Sequence, residues 1–355
     1  LHPRVRRQRQ MCIRDRYNRV YIPATGSWRI LTGQGYIADA LADCTAFYNG
    51  KLYEHASWWG AGGDSYIAGY KITEYDIYNN TSRILVSRSV GGHFYEAAVA
   101  CNGRIYFSGG TYVVYDEDVA QDYEQVDYYD IDEETEGTVI VYGGSDYPVL
   151  CTQPGEYYNH IFYFGWSDSD DILCVDTSDN SYEFLSGDGG YTNLYEEMAC
   201  AVDNKVYFMG GATNSELEEC DVVSTVRIYD IQSGTWSTGA NMPYATAGAT
   251  LHVRDGKIYL VGGYYARTKV QIYDISTNSW SCDGESNLYL GSGKSAMYNG
   301  RIYALTFDGT LCIYRMDIYE VTEQTDAYTV YKDRNGAYWR CLLYTSPSPR
   351  DMRRS

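Results

Sequence analysis

Four histidines lie in the body of the chain, His55, His93, His160 and His252, and none stands in an HExxH pair or another metal-ligating spacing. No Gly-x-Ser-x-Gly elbow and no phosphate-cradling glycine loop is present. The carboxylates are the richer set. Asp168, Asp170 and Asp171 gather hard oxygen ligands of the kind calcium prefers, although their spacing matches no EF-hand loop; calcium there is the one cofactor the residues suggest. Residues 116–136 hold eleven carboxylates and no Lys or Arg, the composition of a solvated loop or of a surface for cations and basic peptides. Carboxylate pairs of the glycosidase kind abound, but in so acidic a chain they arise without purpose. The other notable chemistry is stacking. The 355 residues include 40 Tyr, and aromatic rings beside carboxylates can stack on sugars or grip cationic side chains.

Such residues need a scaffold, and the chain supplies one by repetition. A polar turn followed by an apolar strand recurs as YNGKLY (48–53), CNGRIYFSGG (101–110), YNHIFYFGW (158–166), DNKVYFMGG (203–211), DGKIYLVGG (255–263) and YNGRIYALTFDG (298–309). A second strand follows each of the first five: EYDIYNNTSRI (74–84), YYDIDEETEGTV (128–139), CVDTSDNSYEF (174–184), RIYDIQSGTW (227–236) and QIYDISTNSW (271–280). A fixed period of about fifty residues marks a unit that buries its faces only by stacking on copies of itself. Asn-Gly and Asp-Gly between apolar runs are hairpin turns, and helical spacing is absent, so the fold class is all-β. Consecutive apolar residues such as Ile258, Tyr259, Leu260 and Val261 belong to a strand covered on both faces. The register puts Lys51, Arg104, Lys205, Lys257 and Arg301 at one equivalent position, the start of the second strand, b, of five units.

Gly pairs end strand b at 62–63, 109–110, 210–211 and 262–263; Tyr75, Tyr129, Tyr229 and Tyr273 mark the third strand, and Trp28, Trp236 and Trp280 the fourth. In these positions the chain resembles kelch repeats over about residues 17–318. The resemblance implies a kelch-type β-propeller of four-stranded blades, strands a to d, with Trp236 and Trp280 largely buried between blades. At about fifty residues per unit there is room for six to seven blades. Seven is the preferred count, with residues 19–31 as the last two strands of a blade begun upstream. Repeat three departs, with Gly165 and Trp166 for the Gly pair and Tyr182 for Trp. Arg83 and Val139 stand near the Trp position of repeats one and two, and repeat six lacks the pair.

The two ends read differently. Residues 341–351 (CLLYTSPSPRD) and 11–15 (MCIRD) back-translate to opposite strands of one DNA element, which resembles the transposase recognition end of sequencing-library adapters. Residues 1–16 and 341–355 are therefore expected to be adapter-derived and disordered, leaving a propeller over 17–340 that is incomplete at its termini. Without the nine arginines and two aspartates of these ends, 19 basic face 45 acidic side chains, a formal charge of −26. That charge repels phosphate backbones and excludes nucleic acid as a ligand. No apolar run in the core reaches the ~18–20 residues of a membrane span. Of the cysteines, 44, 101, 151, 174, 200, 220, 282 and 312 remain; no CxxC occurs, and they read as small buried hydrophobes.

In an antiparallel blade the b–c loops and the d–a connections share one face. Trp58, Trp59, Trp166 and Tyr264 fall in b–c loops, and His93, Tyr95, Glu96, Tyr191, Tyr195 and Tyr244 in d–a connections. These ten are the candidate binding residues; no catalytic residue and no metal site is assigned. The expected function is a non-catalytic recognition module for a protein, a basic peptide or a carbohydrate. One alternative is a sugar-modifying or oxidase-type enzyme, since kelch folds include copper-radical oxidases with two His and Tyr ligands. A further alternative is a structural spacer in a repeat-rich surface protein. An extracellular or cell-surface location is the expectation.

Overall fold

The computed structural model describes residues 19–21, 28–31, 44–59, 67–76, 81–89, 97–108, 111–114, 119–122, 125–141, 154–163, 172–187, 194–213, 222–283, 290–298, 301–306, 311–315, 320–324, 328–332 and 338–342. All regular structure among them is antiparallel β-strand. Two short strands come first, β1 (Arg19–Tyr21) and β2 (Trp28–Leu31). Blade one is β3 (Cys44–Tyr48), β4 (Lys51–Trp59), β5 (Ile67–Asp76) and β6 (Thr81–Arg88). Blade two opens with β7 (Ala97–Cys101) and β8 (Arg104–Ser108). A two-stranded ribbon, β9 (Thr111–Val114) and β10 (Val119–Asp122), interrupts it before β11 (Gln125–Asp130) and β12 (Thr135–Val141). Blade three is β13 (Gly155–Tyr157), β14 (His160–Tyr163), β15 (Ile172–Asp176) and β16 (Ser181–Leu185). Blade four is β17 (Met198–Val202), β18 (Lys205–Met209), β19 (Val226–Asp230) and β20 (Thr235–Thr238). Blade five is β21 (Thr250–Arg254), β22 (Lys257–Val261), β23 (Val270–Asp274) and β24 (Ser279–Asp283).

The blade count differs from the expected six to seven. Five four-stranded blades are present among the described residues, and a sixth sheet is composite. Its strands β25 (Leu290–Tyr298), β26 (Arg301–Thr306) and β27 (Leu311–Arg315) are joined by β2, with β1 outermost. Trp28 lies opposite Tyr314 and Ile30 opposite Cys312. Residues 19–31 are thus not the remnant of a seventh blade; their strands satisfy the open edge of the last repeat. The first strands β3, β7, β13, β17, β21 and β25 pack side by side in that order, and β25 meets β3, which closes the ring. A separate sheet follows, β28 (Glu320–Gln324), β29 (Tyr328–Lys332) and β30 (Tyr338–Leu342). β30 takes in Cys341 and Leu342, the first residues of the stretch read above as adapter-derived.

The repeat register holds. Lys51, Arg104, Lys205, Lys257 and Arg301 each open strand b, and His160 opens it in blade three. In all five blades an aspartate at the end of strand c faces this position: Asp76, Asp130, Asp176, Asp230 and Asp274. Arg104 Nε lies 2.9 Å from Asp130, His160 Nε2 3.6 Å from Asp176, and Lys257 Nζ 3.7 Å from Asp274. The carboxylates of blades two to five also accept backbone N–H bonds from the c–d turn, for example Gln232 and Ser233 onto Asp230. One side chain thereby caps the turn and holds the neighbouring strand.

The Gly pairs act as close-approach points. Gly210 has φ +67° and Gly263 φ +85°; a Cβ on Gly210 would lie 2.2 Å from the Thr246 carbonyl oxygen, and one on Gly263 2.6 Å from that of Ala247. Tyr229 and Tyr273 are buried, and their rings meet Trp236 and Trp280 at 5.1 and 5.0 Å. The two indoles pack against the cores of their blades and keep part of their surface exposed, because strand d is the outermost strand. Each still bridges blades, Trp236 Nε1 donating to Ser186 O (3.1 Å) and Trp280 Nε1 to Ala240 O (2.7 Å). Opposite the blade Tyr, blades one and two carry Ser82 and Glu136, so Arg83 and Val139 sit beside the Trp position and not in it.

The acidic stretch 116–136 is not one solvated loop. Much of it forms β10, β11 and the c–d turn, and several of its carboxylates have partners. Thr138 donates to Asp127, Arg83 pairs with Glu134 at 2.9 Å, and Arg88 pairs with Glu136. The arginines come from β6, so blade one is tied to blade two. Cys44, Cys101, Cys174, Cys200 and Cys312 are buried thiols; Cys282 is exposed.

Candidate binding face

The b–c loops and d–a connections of blades four and five interlock through backbone hydrogen bonds. Gly211 N donates to Thr246 O (3.0 Å), Gly248 N to Glu196 O (2.8 Å), and Tyr264 N to Ala247 O (2.8 Å). Tyr195 and Ala212 exchange both bonds at 2.8 Å. The Thr246 hydroxyl donates to Tyr264 O at 2.6 Å. Paired backbone on this scale makes a rigid platform, because these N–H and C=O groups no longer depend on water. Tyr195, Tyr244 and Tyr264 stand on that platform.

Their environments differ. Tyr195 and Tyr264 are half-buried, whereas Tyr244 is 44% exposed and Tyr265, at φ +65°, is 40% exposed. Lys269 Nζ lies 4.8 Å from the Tyr244 ring centroid, and the Arg267 guanidinium 5.9 Å from that of Tyr264. The face therefore already carries cations of its own over two rings, which the acidic composition concealed. Gln271 holds Tyr244 in place, with its Oε1 accepting from Tyr244 N (2.9 Å) and its Nε2 donating to Tyr244 O (2.8 Å).

The equivalent strand-c position in blade four is Arg227. Its Nη2 donates to both oxygens of Glu197, at 2.9 and 2.8 Å, and both side chains are 1% exposed. The guanidinium also lies 5.8 Å from the Phe208 ring and 5.6 Å from Trp236. Arg227 and Gln271 thus clamp the entry to strand a from beneath. Their signal in the sequence is a long polar residue two before the blade Tyr, inside an otherwise apolar strand.

Other candidates fall elsewhere. Trp58 and Trp59 belong to β4 itself and pair with Gly69 and Ile67, so they are in strand b and not in the loop after it. Strand β4 simply continues past Ala56 to Trp59. His93, Tyr95, Glu96, Trp166, Tyr191 and the calcium candidates Asp168, Asp170 and Asp171 lie outside the described residues. Among the described residues no group of three His, Cys, Asp or Glu is placed to hold a metal, and no helix is long and apolar enough to cross a membrane.

Comparison with known proteins agrees with this architecture. Residues 199–243 and 245–284 match the Kelch motif. An F-box/kelch-repeat protein of Arabidopsis thaliana is 34% identical over 88 residues, 24% of this chain and 21% of the relative. Kelch-like protein terF of Aspergillus terreus is 27% identical over 147 residues (36% and 32%), and Kelch-like protein 36 of Bos taurus 27% over 154 residues (40% and 21%). These matches span roughly a fifth to a third of the curated relatives' lengths. The solved structure of YjhT superposes with a TM-score of 0.58 at 13% identity, over 86% of this chain and 97% of that one, a likeness of fold. The chain is an all-β propeller of four-stranded antiparallel blades, with Kelch motifs at residues 199–243 and 245–284.

Proposed function

We propose that this propeller is a recognition module that binds a protein or peptide through the face of its b–c loops and d–a connections. The observation that carries the reading is the contrast between the two faces. On one, interlocked loops hold Tyr244 and Tyr265 exposed above a rigid base. On the other, the strands are joined by tight turns such as Asn102–Gly103 and Asp255–Gly256, both residues at positive φ, with little surface to vary. Exposed aromatic rings on a preorganised base are the usual anchors of a protein interface. Net charge steers the choice of partner: a chain at −19 draws in segments rich in Lys and Arg.

His93, Tyr95, Glu96, Trp166 and Tyr191 are offered as further members of this face, by their place in the repeat. A peptide and glycan array, repeated with Tyr244→Ala and Tyr195→Ala, tests the reading. The expected result is selection of basic peptides and loss of most binding in Tyr244→Ala. Selection of glycans alone would replace the peptide partner with a carbohydrate. Binding that survives both changes and is lost on altering the opposite turns would put the site on the other face.

A further inference from the structure

The six inner strands enclose a central channel of about 340 Å3. Its space is built into the repeat. At one level of the a–b register the strand-b residue is aromatic in every sheet: Tyr53, Tyr106, Phe162, Tyr207, Tyr259 and Tyr303. Facing them on strand a are Ala46, Val99, Gly155, Cys200, His252 and Ala296. Small residues towards the axis and large ones outside are what a wedge-shaped blade requires. His252 breaks that rule. It is the one large polar residue of the six, and it lines the channel at 8% exposure.

The imidazole has built partners. His252 Nε2 lies 2.7 Å from Ser295 Oγ, and the Thr250 hydroxyl is hydrogen-bonded to that same oxygen. Thr250 and Ser295 also line the channel, as does Glu156 of β13, which stands across the ring from β25. Glu156 is exposed into the channel, and partial desolvation there pushes its carboxyl pKa upward. A hydroxyl against a histidine invites comparison with a nucleophile and its base. Burial lowers the His252 pKa to about 3, far below the value near neutrality that a general base needs, so the pair is suited to binding and not to proton transfer.

We propose that the channel binds one small, neutral, polyhydroxylated molecule between the His252–Ser295–Thr250 cluster and Glu156. Hydroxyl groups both donate and accept, as do the side chains of this cluster, and a carboxylate adds acceptors on the far wall. An anion is opposed by Glu156 and by the charge of the whole chain; a cation meets a single carboxylate among uncharged groups. The volume is at the low end of ligand pockets and fits one ring, not an oligomer. The proposal stands apart from the loop-face reading.

The test is calorimetric titration of the whole chain with myo-inositol and with glucose, and with acetate and choline as charged probes. Binding of a neutral probe is expected, weakened at least tenfold in both His252→Phe and Ser295→Ala and unchanged in Tyr244→Ala. Ser295→Ala removes one hydroxyl and keeps the fold if His252→Phe does not. The proposal is overturned if neither neutral probe binds, if binding is unaffected in Ser295→Ala, or if only acetate or choline binds.

Discussion

Removing the Glu197 carboxylate should be among the most damaging single changes in blade four. The Arg227 guanidinium and Glu197 are both 1% exposed, with contacts of 2.9 and 2.8 Å. At such a distance and an effective dielectric of about 20, the gross attraction is on the order of 6 kcal/mol. Desolvation costs several kcal/mol for each ion, so the pair as a whole adds little net stability. Glu197→Leu takes away the attraction and leaves the desolvation of Arg227 in place, an expected loss of about 3–5 kcal/mol. Arg227→Met should cost a similar amount. The double variant Glu197→Leu, Arg227→Met removes both charges and is expected to lie within about 2 kcal/mol of the parent. Urea unfolding of the four proteins gives the coupling energy directly. Two single losses under about 1 kcal/mol, or losses that simply add in the double variant, would refute the reasoning.

Gly210→Ala should cost about 2 kcal/mol more than Gly256→Ala, since both have φ near +70° but only the first Cβ meets a carbonyl, 2.2 Å away; denaturation midpoints compare them. Trp280→Ala should cost about 2–3 kcal/mol, less than a full core truncation because the indole is half-buried, and a thermal melt measures it. His55 and His252 are each held near pKa 3 by burial, against an ordinary value of 6.5. Below pH 6.5 the unfolded chain takes up protons that the folded chain refuses, so their stability contribution is full above pH 6.5 and falls as pH drops towards 3. His55→Phe should flatten melting temperature between pH 6.5 and 4; an unchanged slope would count against burial as the cause.

Much of the fold could be read from residues that recur with a local reason. The cation at the start of strand b and the blade Tyr each answer a constraint within one unit, so four or five copies reinforce one another. What escaped depends on partners far apart in sequence. Nothing in residues 19–31 says that Trp28 pairs with Tyr314, because an open edge accepts any strand of suitable length. Alternation in residues 125–130 was hidden by the carboxylates in and around it; Asp130 meets Arg104 of its own blade, and Glu134 and Glu136 just beyond meet arginines of the preceding blade. Tyr244 and Tyr264 were legible as loop residues, but the cations Lys269 and Arg267 above their rings were not, since only the folded b–c loop before β23 brings them there. His252 looked unremarkable until the register set it among five smaller neighbours.

Hydrogen exchange with and without a bound basic peptide tests the central claim most directly. Slower exchange is predicted in the connections 239–249 and 262–269, which carry Tyr244, Tyr264 and Tyr265, with no change at the turns around Asn102–Gly103 and Asp255–Gly256. Protection of those turns with the loop connections unaffected would contradict the account.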